Sequence, residues 1–428
     1  MGDRKTVMEQ LRAATRGHHQ RLESLAFAQA LAQGTLPLHS YVGYLRAMAV
    51  IHGVLEGELS RSKDPAVMAV WKDSMRKLPL LMDDLDSFAS QLIGDVPGAV
   101  VAAVSVADAA RLRSAQDPIS LLGYIYVLEG ATRGATVLRP LAAAAFGLTG
   151  PGLAYLTNYG DRLDENWAGF TARMNASVDD SSAPRVVAAA CDLYDRVAIV
   201  MGNLHPADPS QLRFFATTLN PEAGTHVVPQ DPITIRSAIR AGEMTWQMFP
   251  YYKLRYGDRG RRYCFSDSGY LATLINCEPS VVTSEVAWLG RVLSSRGMPQ
   301  IMLETHISVL AQELIKDLPE QRQACEKLVA ASRQLADARR AHLSDQASLE
   351  LSAQFDAAVG PEWSARFPRT GLLLASAVAD ERSGMESGVA SLVPHLVMPD
   401  RFPDTWIQAV HTTLKTARER ANHASGGH

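Results

Sequence analysis

Residues 8–26 read MEQLRAATRGHHQRLESLA, from Met8 to Ala26. Met8, Leu11, Thr15, His18 or His19, Leu22 and Ala26 recur at intervals of three and four, which lays them along one helix face and leaves Arg12, Arg16, Gln20 and Glu23 on its flanks. The segment is therefore an amphipathic helix with a histidine on its apolar side. Pro37 closes the next loop, and the same period resumes from Tyr41 to Leu59 through Tyr44, Leu45, Met48, Ile51 and Leu55. Asp117-Pro118 reads as a cap with proline at the first helical position, opening a helix through Leu121, Tyr124, Ile125 and Leu128. Alternating β-branched runs are confined to short pieces such as Thr225 to Val228, so the expected fold class is all-α.

The 428 residues are long enough for two or three domains. Five prolines (Pro206, Pro209, Pro221, Pro229 and Pro232) break the helical texture once, which predicts a first domain over 1–207, a proline-rich linker over 208–232 and a second, mainly helical domain over 233–428. In that second part, Ile233 to Leu314 carries a compact set of helical windows. Pro319 opens a long charged helix toward Phe355, and a last block from Arg369 to Arg420 breaks near Pro394 and Pro399. The tail HASGGH, residues 423–428, is expected to be disordered.

Composition excludes several classes. With 47% hydrophobic and 20% charged residues the chain is an ordinary globular one, and 42 Lys plus Arg against 45 Asp plus Glu give a net charge of -3. Such a balance offers no global field for nucleic acid or an anionic membrane, and neither is expected as a partner. Cys191, Cys264, Cys277 and Cys325 show no Cys-x-x-Cys spacing and read as reduced thiols. The N-terminus is charged from Asp3 onward, and the apolar windows near 100–107 and 138–148 are too short to span a bilayer. The cytoplasm is the expected compartment.

Two fragments bear chemistry. In LRAATRGHHQRLE, residues 11–23, a histidine on the buried helix face either donates a ring nitrogen to a metal or haem iron or is a satisfied core histidine. In LEGATRGA, residues 128–135, Gly130 and Gly134 sit four apart inside a helix. Glycine there costs about 1 kcal/mol relative to alanine. The cost is explained by close approach of a flat ligand or by tight helix packing.

Taken in order, Leu11-Arg-Ala-Ala-Thr15-Arg-x-x-His19, Gly123-Tyr-x-Tyr126-Val-Leu-Glu129-Gly130-x-x-x-Gly134-Ala135, and then Tyr155 to Tyr159, Trp167, Phe170 and Arg173-Met174-Asn175 resemble the biliverdin-producing haem oxygenases, particularly the bacterial ones. The resemblance covers roughly the first 205 residues. It implies a helical domain that sandwiches haem b, as both cofactor and substrate, between a proximal and a distal helix. It also implies ring opening to biliverdin with loss of CO and iron, using O2 and electrons from a reductase or ferredoxin-type donor. By that resemblance His19 is the proximal iron ligand, with His18 the neighbour that helical spacing does not separate from it. Gly130 and Gly134 are the distal glycines, Arg12 pairs with a propionate, and Tyr124 belongs to the cofactor-binding set. The chain departs from relatives at Ala131, where mammalian members carry a carboxylate, at Thr171, where animal members carry an arginine, and at Arg133, which intrudes into the distal segment.

Residues 233–428 resemble no family securely. In FPYYKLRYGDRGRRYCFSDSGYL, residues 249–271, Lys253, Arg255, Arg259, Arg261 and Arg262 interleave with Tyr251, Tyr252, Tyr256 and Tyr263. That pattern suits either a planar anion such as a tetrapyrrole or a solvated surface with structural tyrosines. His306, on the apolar stripe of Met302, Leu303, Leu310 and Leu314, is either a core histidine or, by loose likeness to globins, a second haem ligand. Cys264 and Cys277 are either small buried side chains or thiols for a metal or bilin. Two functions stand: a haem oxygenase, or a haem- or bilin-binding sensor on the same fold that does not degrade its ligand. A homodimer is left open.

Overall fold

Many helices in this chain begin where a polar side chain satisfies an orphan amide or a proline removes one. Thr6 and Glu9 form a reciprocal box at the head of the first helix, Val7–Glu23, with Glu9 N donating to Thr6 Oγ1 at 3.3 Å and Thr6 N to Glu9 Oε2 at 2.8 Å. Proline opens the helices Pro97–Gln116, Pro232–Met248, Pro250–Thr273 and Pro279–Ser295. The computed structural model describes residues 5–425, which fall into two units that divide between Thr225 and His226. It is 80% helical, and its described residues form no strand beyond the isolated bridges Asp95–Arg213 and Gly150–Gly152. The all-α expectation holds. No described helix is long and apolar enough to cross a membrane.

In the first unit the helix Leu38–Arg61 runs through the core and buries Tyr41, Leu45, Met48, Ile51 and Leu55. The helix Leu121–Phe146 packs on the helix Ala183–Leu204 at Gly123, where an added Cβ would stand 2.2 Å from the Val186 carbonyl oxygen and 2.7 Å from Ala190 N. Only glycine permits that approach. The cap expected at Asp117 is not made. Residues 118–120 form a 3-10 turn, the α-helix begins at Leu121, and the Asp117 carboxylate pairs with Arg185 Nη1 at 2.5 Å.

The stretch expected as a linker is divided within itself. Arg213 bridges Asp95 through both backbone hydrogen bonds, Thr218 Oγ1 donates to Asp95 Oδ2 at 2.6 Å, and Ala216 and Leu219 are buried, so the first unit extends to residue 225. Asp95 also holds Arg46 Nη1 at 2.8 Å. Pro232 already opens a helix of the second unit.

The second unit is built from the helices Pro232–Met248, Pro250–Thr273, Pro279–Ser295, Gln300–Asp317, Arg322–Arg340, Asp345–Val359, Thr370–Arg382 and Asp404–Ser425, with shorter ones between. The single helix expected from Pro319 to Phe355 is two. The chain turns after Arg340, Ser344 caps the next helix by accepting from Ala347 N at 3.2 Å, and Asp345 returns to Arg339 Nη2 at 2.8 Å. Arg339, 3% exposed, is also forked onto Glu304 at 2.9 and 3.0 Å. Backbone helix continues to Ser425 through part of the tail expected to be disordered, and residues 426–428 lie outside the described residues.

A fragment of residues 1–225 is expected to fold alone, whereas one ending at residue 208 loses Thr218 and Arg213 from Asp95 and strips Leu219 from the core. Burying one leucine contributes about 1.5–3 kcal/mol, and each kcal/mol moves Tm by about 2–4 °C at this size. Thermal melts of the two fragments should differ by at least several degrees; equal melts would place the end of the unit before residue 208.

Candidate functional site

The first helix is held by its ends. Asn175 Oδ1 accepts from Met8 N at 3.2 Å, and Leu11 and Thr15 are buried below it. At its other end the two adjacent histidines diverge. His18 Nδ1 lies 2.8 Å from Asp195 Oδ1, with Arg21 closing on the same pair. His19 instead borders a cavity of about 300 Å3, its ring 6.2 Å from that of Tyr194 and its Nδ1 3.5 Å from Glu23 Oε1. The side chain is 57% exposed, so the buried face expected for it is in fact the open mouth of a cavity.

The cavity walls come from five further segments, one of them the short helix Ala26–Ala32, which contributes Ala28. Leu22 and Glu23 continue the first helix, and Tyr44 and Met48 come from Leu38–Arg61. Val127, Leu128, Ala131, Gly134 and Leu138 come from one face of Leu121–Phe146. Tyr194, Val197 and Met201 come from Ala183–Leu204, and Tyr155 from a short helix between. The lining is mostly apolar with three tyrosines. An added Cβ at Gly134 meets nothing within 4 Å, because the space before it is the cavity.

The remaining sequence-expected site residues lie elsewhere. Gly130 does not line the cavity, and a Cβ there would touch Trp167 at 4.0 Å. Tyr124 is fully buried and donates to Asp192 Oδ2 at 2.7 Å with the Arg113 guanidinium over its ring, which makes it part of the packing between helices. Arg12 is exposed on the first helix and does not reach the lining. Arg133 leaves the distal segment clear, lying over Trp167 with Nη2 3.6 Å from Asp164 Oδ1.

Sequence reasoning missed the polar backing of this cavity. The Tyr155 hydroxyl stands 3.4 Å from His52 Nε2, and His52 Nδ1 lies 3.0 Å from Glu56 Oε1, which also accepts from the amides of Lys77 and Leu78. Burial pushes Glu56 up, but His52 and those amides outweigh it and hold the carboxyl below its ordinary value. Lys77, 2% exposed, donates from Nζ to Glu129 Oε1 at 3.1 Å and to the Tyr159 hydroxyl at 2.8 Å, and Tyr159 donates to Glu129 Oε2 at 2.9 Å. Asp84 fixes Tyr155 by accepting from the amides of Ala154 and Tyr155 at 2.6 and 2.8 Å. Burial pushes the Tyr44 hydroxyl up to about 12 and that of Tyr155 well above the tyrosine range, so both keep their protons at neutral pH. The helical spacing of Tyr44 was visible in the sequence; its convergence with Tyr155, far along the chain, was not.

In the second unit His306 is a core histidine. It is 7% exposed, with Nδ1 3.0 Å from Thr245 Oγ1 and Nε2 2.9 Å from Ser268 Oγ, so neither nitrogen is left for a metal. The basic run between Tyr251 and Tyr263 is dispersed: Arg255 donates to Ser391 O at 2.6 Å and Arg261 to Glu243 Oε2 at 2.6 Å. Arg259 lies over the Tyr263 ring at 5.5 Å and borders a second cavity.

Residues 5–199 match the family model described as "Heme oxygenase". Among solved structures, haem oxygenase-1 from the cyanobacterium Synechocystis in complex with haem is 20% identical over 47% of this chain and 93% of that one, with a TM-score of 0.43. Haem oxygenase from Leptospira interrogans is 20% identical over 46% of this chain and 99% of that one, with a TM-score of 0.42. No curated protein matches the sequence.

Gly130→Ala should stabilise the protein by about 0.5–1 kcal/mol, because it removes a helix-interior glycine and its methyl meets Trp167 at an ordinary distance. A loss of stability in chemical denaturation would show that this glycine serves an approach the packing does not display. For His306, burial lowers the imidazole from 6.5 to about 4, so between those values the unfolded chain binds a proton that the folded one refuses. The Tm advantage of the native protein over His306→Gln should therefore shrink as pH falls from 6.5 to 4; a constant difference would mean that His306 charges in the folded state.

Proposed function

We propose, from the haem oxygenase domain that residues 5–199 form, that the first unit binds haem b in the cavity between His19 and Gly134 and opens it to biliverdin with release of CO and iron. The observation that supports this reading is that His19 and Gly134, from helices far apart in sequence, border one apolar cavity while His18 is tied to Asp195. The residues fit the group. An imidazole stands at the mouth, the glycine leaves its stretch of wall without a side chain, and Met48, Val127, Leu128 and Val197 offer apolar surface to a flat ring.

Bound haem would supply the iron that activates dioxygen and the ring that is opened. The chain supplies the surroundings. His19 is the iron ligand, with Glu23 near Nδ1 to orient its ring. Gly134 keeps the distal wall at backbone distance, and the apolar lining excludes bulk water. Tyr44 and Tyr155 keep their hydroxyl protons and serve as hydrogen-bond donors at the cavity, with His52 and Glu56 behind Tyr155 as a further place to hold a proton. Electrons come from an external reductase or ferredoxin-type donor. Ala131 favours a second reading, a sensor that binds haem or bilin without degrading it, because the wall beside Gly134 carries a methyl group where a carboxylate would order water.

Haem added to the purified protein, followed by reductant in air, separates the two readings. The enzyme loses its Soret band and gains a bilin absorption; a sensor keeps the Soret band. His19→Ala should abolish the native haem spectrum and turnover while His18→Ala leaves both, and the reverse outcome would move the ligand by one residue. Gly134→Leu fills the cavity, an overpacking worth about 1–3 kcal/mol, and should weaken haem binding about tenfold or more; unchanged binding would place haem elsewhere.

A further inference from the structure

The second cavity lies wholly within the second unit and holds about 350 Å3, comparable with the about 300 Å3 of the first. One face of the helix Pro250–Thr273 builds most of it, with Tyr252, Tyr256, Arg259, Tyr263 and Asp267 at intervals of three and four. The helix is broken at Gly257, whose φ of +54° and ψ of -156° suit glycine. Leu293, Arg296 and Met298 close the opposite side. Tyr256 is pinned by donating to the Arg296 carbonyl at 2.6 Å.

Asp267 is the informative group. It is half-buried, it lines the cavity, and no hydrogen bond reaches its carboxylate among the described residues. A carboxylate on a cavity wall with no protein donor is open to one that a ligand brings. Tyrosine rings line the wall beside it, and two guanidinium groups, Arg259 and Arg296, stand at the same cavity. The complement is a flat conjugated molecule with ring N–H donors for Asp267, an apolar face for the tyrosines and carboxylates for the arginines.

We propose that this cavity is a binding site for an open-chain tetrapyrrole, the chemical class of product that the first unit is proposed to make. The ligand class rests on that reading; the site itself rests on the cavity. Haem fits less well, since metal-bound ring nitrogens have no proton to offer Asp267 and no histidine lines this cavity. Binding is reversible rather than covalent: burial, with Asp267 and Glu243 nearby, pushes the Cys264 thiol up to about 12, where it is a poor nucleophile. Burial raises the carboxyl of Asp267 to about 7, with the Arg296 charge pulling the other way.

The test titrates biliverdin into the full chain saturated with haem and kept without reductant, so that the first cavity is filled and no turnover occurs. One equivalent is expected to bind with a red-shifted absorption and induced circular dichroism. Asp267→Asn and the surface variant Arg296→Met should each weaken it about tenfold or more, with the haem spectrum unchanged. Equal affinity in both variants would overturn the proposal, as would the absence of any spectral change at tens of micromolar. A second equivalent of haem, or GTP as an aromatic anion of another class, bound in an Asp267-dependent way, would overturn it too. Failure of haem turnover would sink the enzymatic reading of the first unit and leave an Asp267-dependent response to added biliverdin standing.

Discussion

The close approach at Gly123 sets the geometry of the first unit. With the Val186 carbonyl where a side chain would begin, the helix Leu121–Phe146 can be neither rotated nor lifted from Ala183–Leu204 without losing the contact. That fixes the phase of the whole helix. Because the rotation of a helix is rigid, the face carrying Val127, Leu128, Ala131, Gly134 and Leu138 is then turned to the cavity, and Gly130, one residue from Ala131, is turned to Trp167. The cavity is thus a consequence of where two helices touch and where they part, and its wall composition follows from a contact made about one to four turns away.

Charge buried behind that wall has a structural cost that the packing meets by pairing most of it, with Glu56 Oε2 left without a hydrogen bond and only Arg76 Nη1 at 4.0 Å. Lys77 and Glu129 are nearly inaccessible and share Tyr159, while Glu56 collects two amides and an imidazole. Burial alone would discharge Lys77, and it does lower its pKa; Glu129 works against that shift. Removing one member of such a set leaves the other uncompensated, at about 3–5 kcal/mol. The polar column ends in the Tyr155 hydroxyl, which lines the cavity. The second unit uses the same device: Arg339 spans Glu304 and Asp345 and thereby decides where a charged helical stretch must turn.

The histidines, read together, show how a one-residue difference is resolved. His18 and His19 differ by about 100° around the helix, which puts Asp195 within reach of one and the cavity within reach of the other. His306 lacks that freedom, because two hydroxyls consume both of its nitrogens. A histidine on an apolar stripe therefore borders a cavity or joins the core according to what faces it.

Helix content, most helix positions and the all-α class were determined by the sequence itself, because a period of three to four, proline at first turns and capping side chains are local properties. The family resemblance rested on the same local order of motifs. Tertiary packing alone decided which of two adjacent histidines meets the cavity, that Tyr124 pairs with Asp192 inside the protein, that Arg12 stays on the surface, and that Gly134 rather than Gly130 borders open space. It decided the turn after Arg340, where a partner at Glu304 overrides helix propensity, and the packing of residues 213–219 on Asp95. Each of these depends on a residue distant in sequence whose position no local period encodes. The Asp267 cavity belongs to the same class: Arg259 and its tyrosines were visible as a motif, but the opposite side comes from Leu293, Arg296 and Met298 further along the chain.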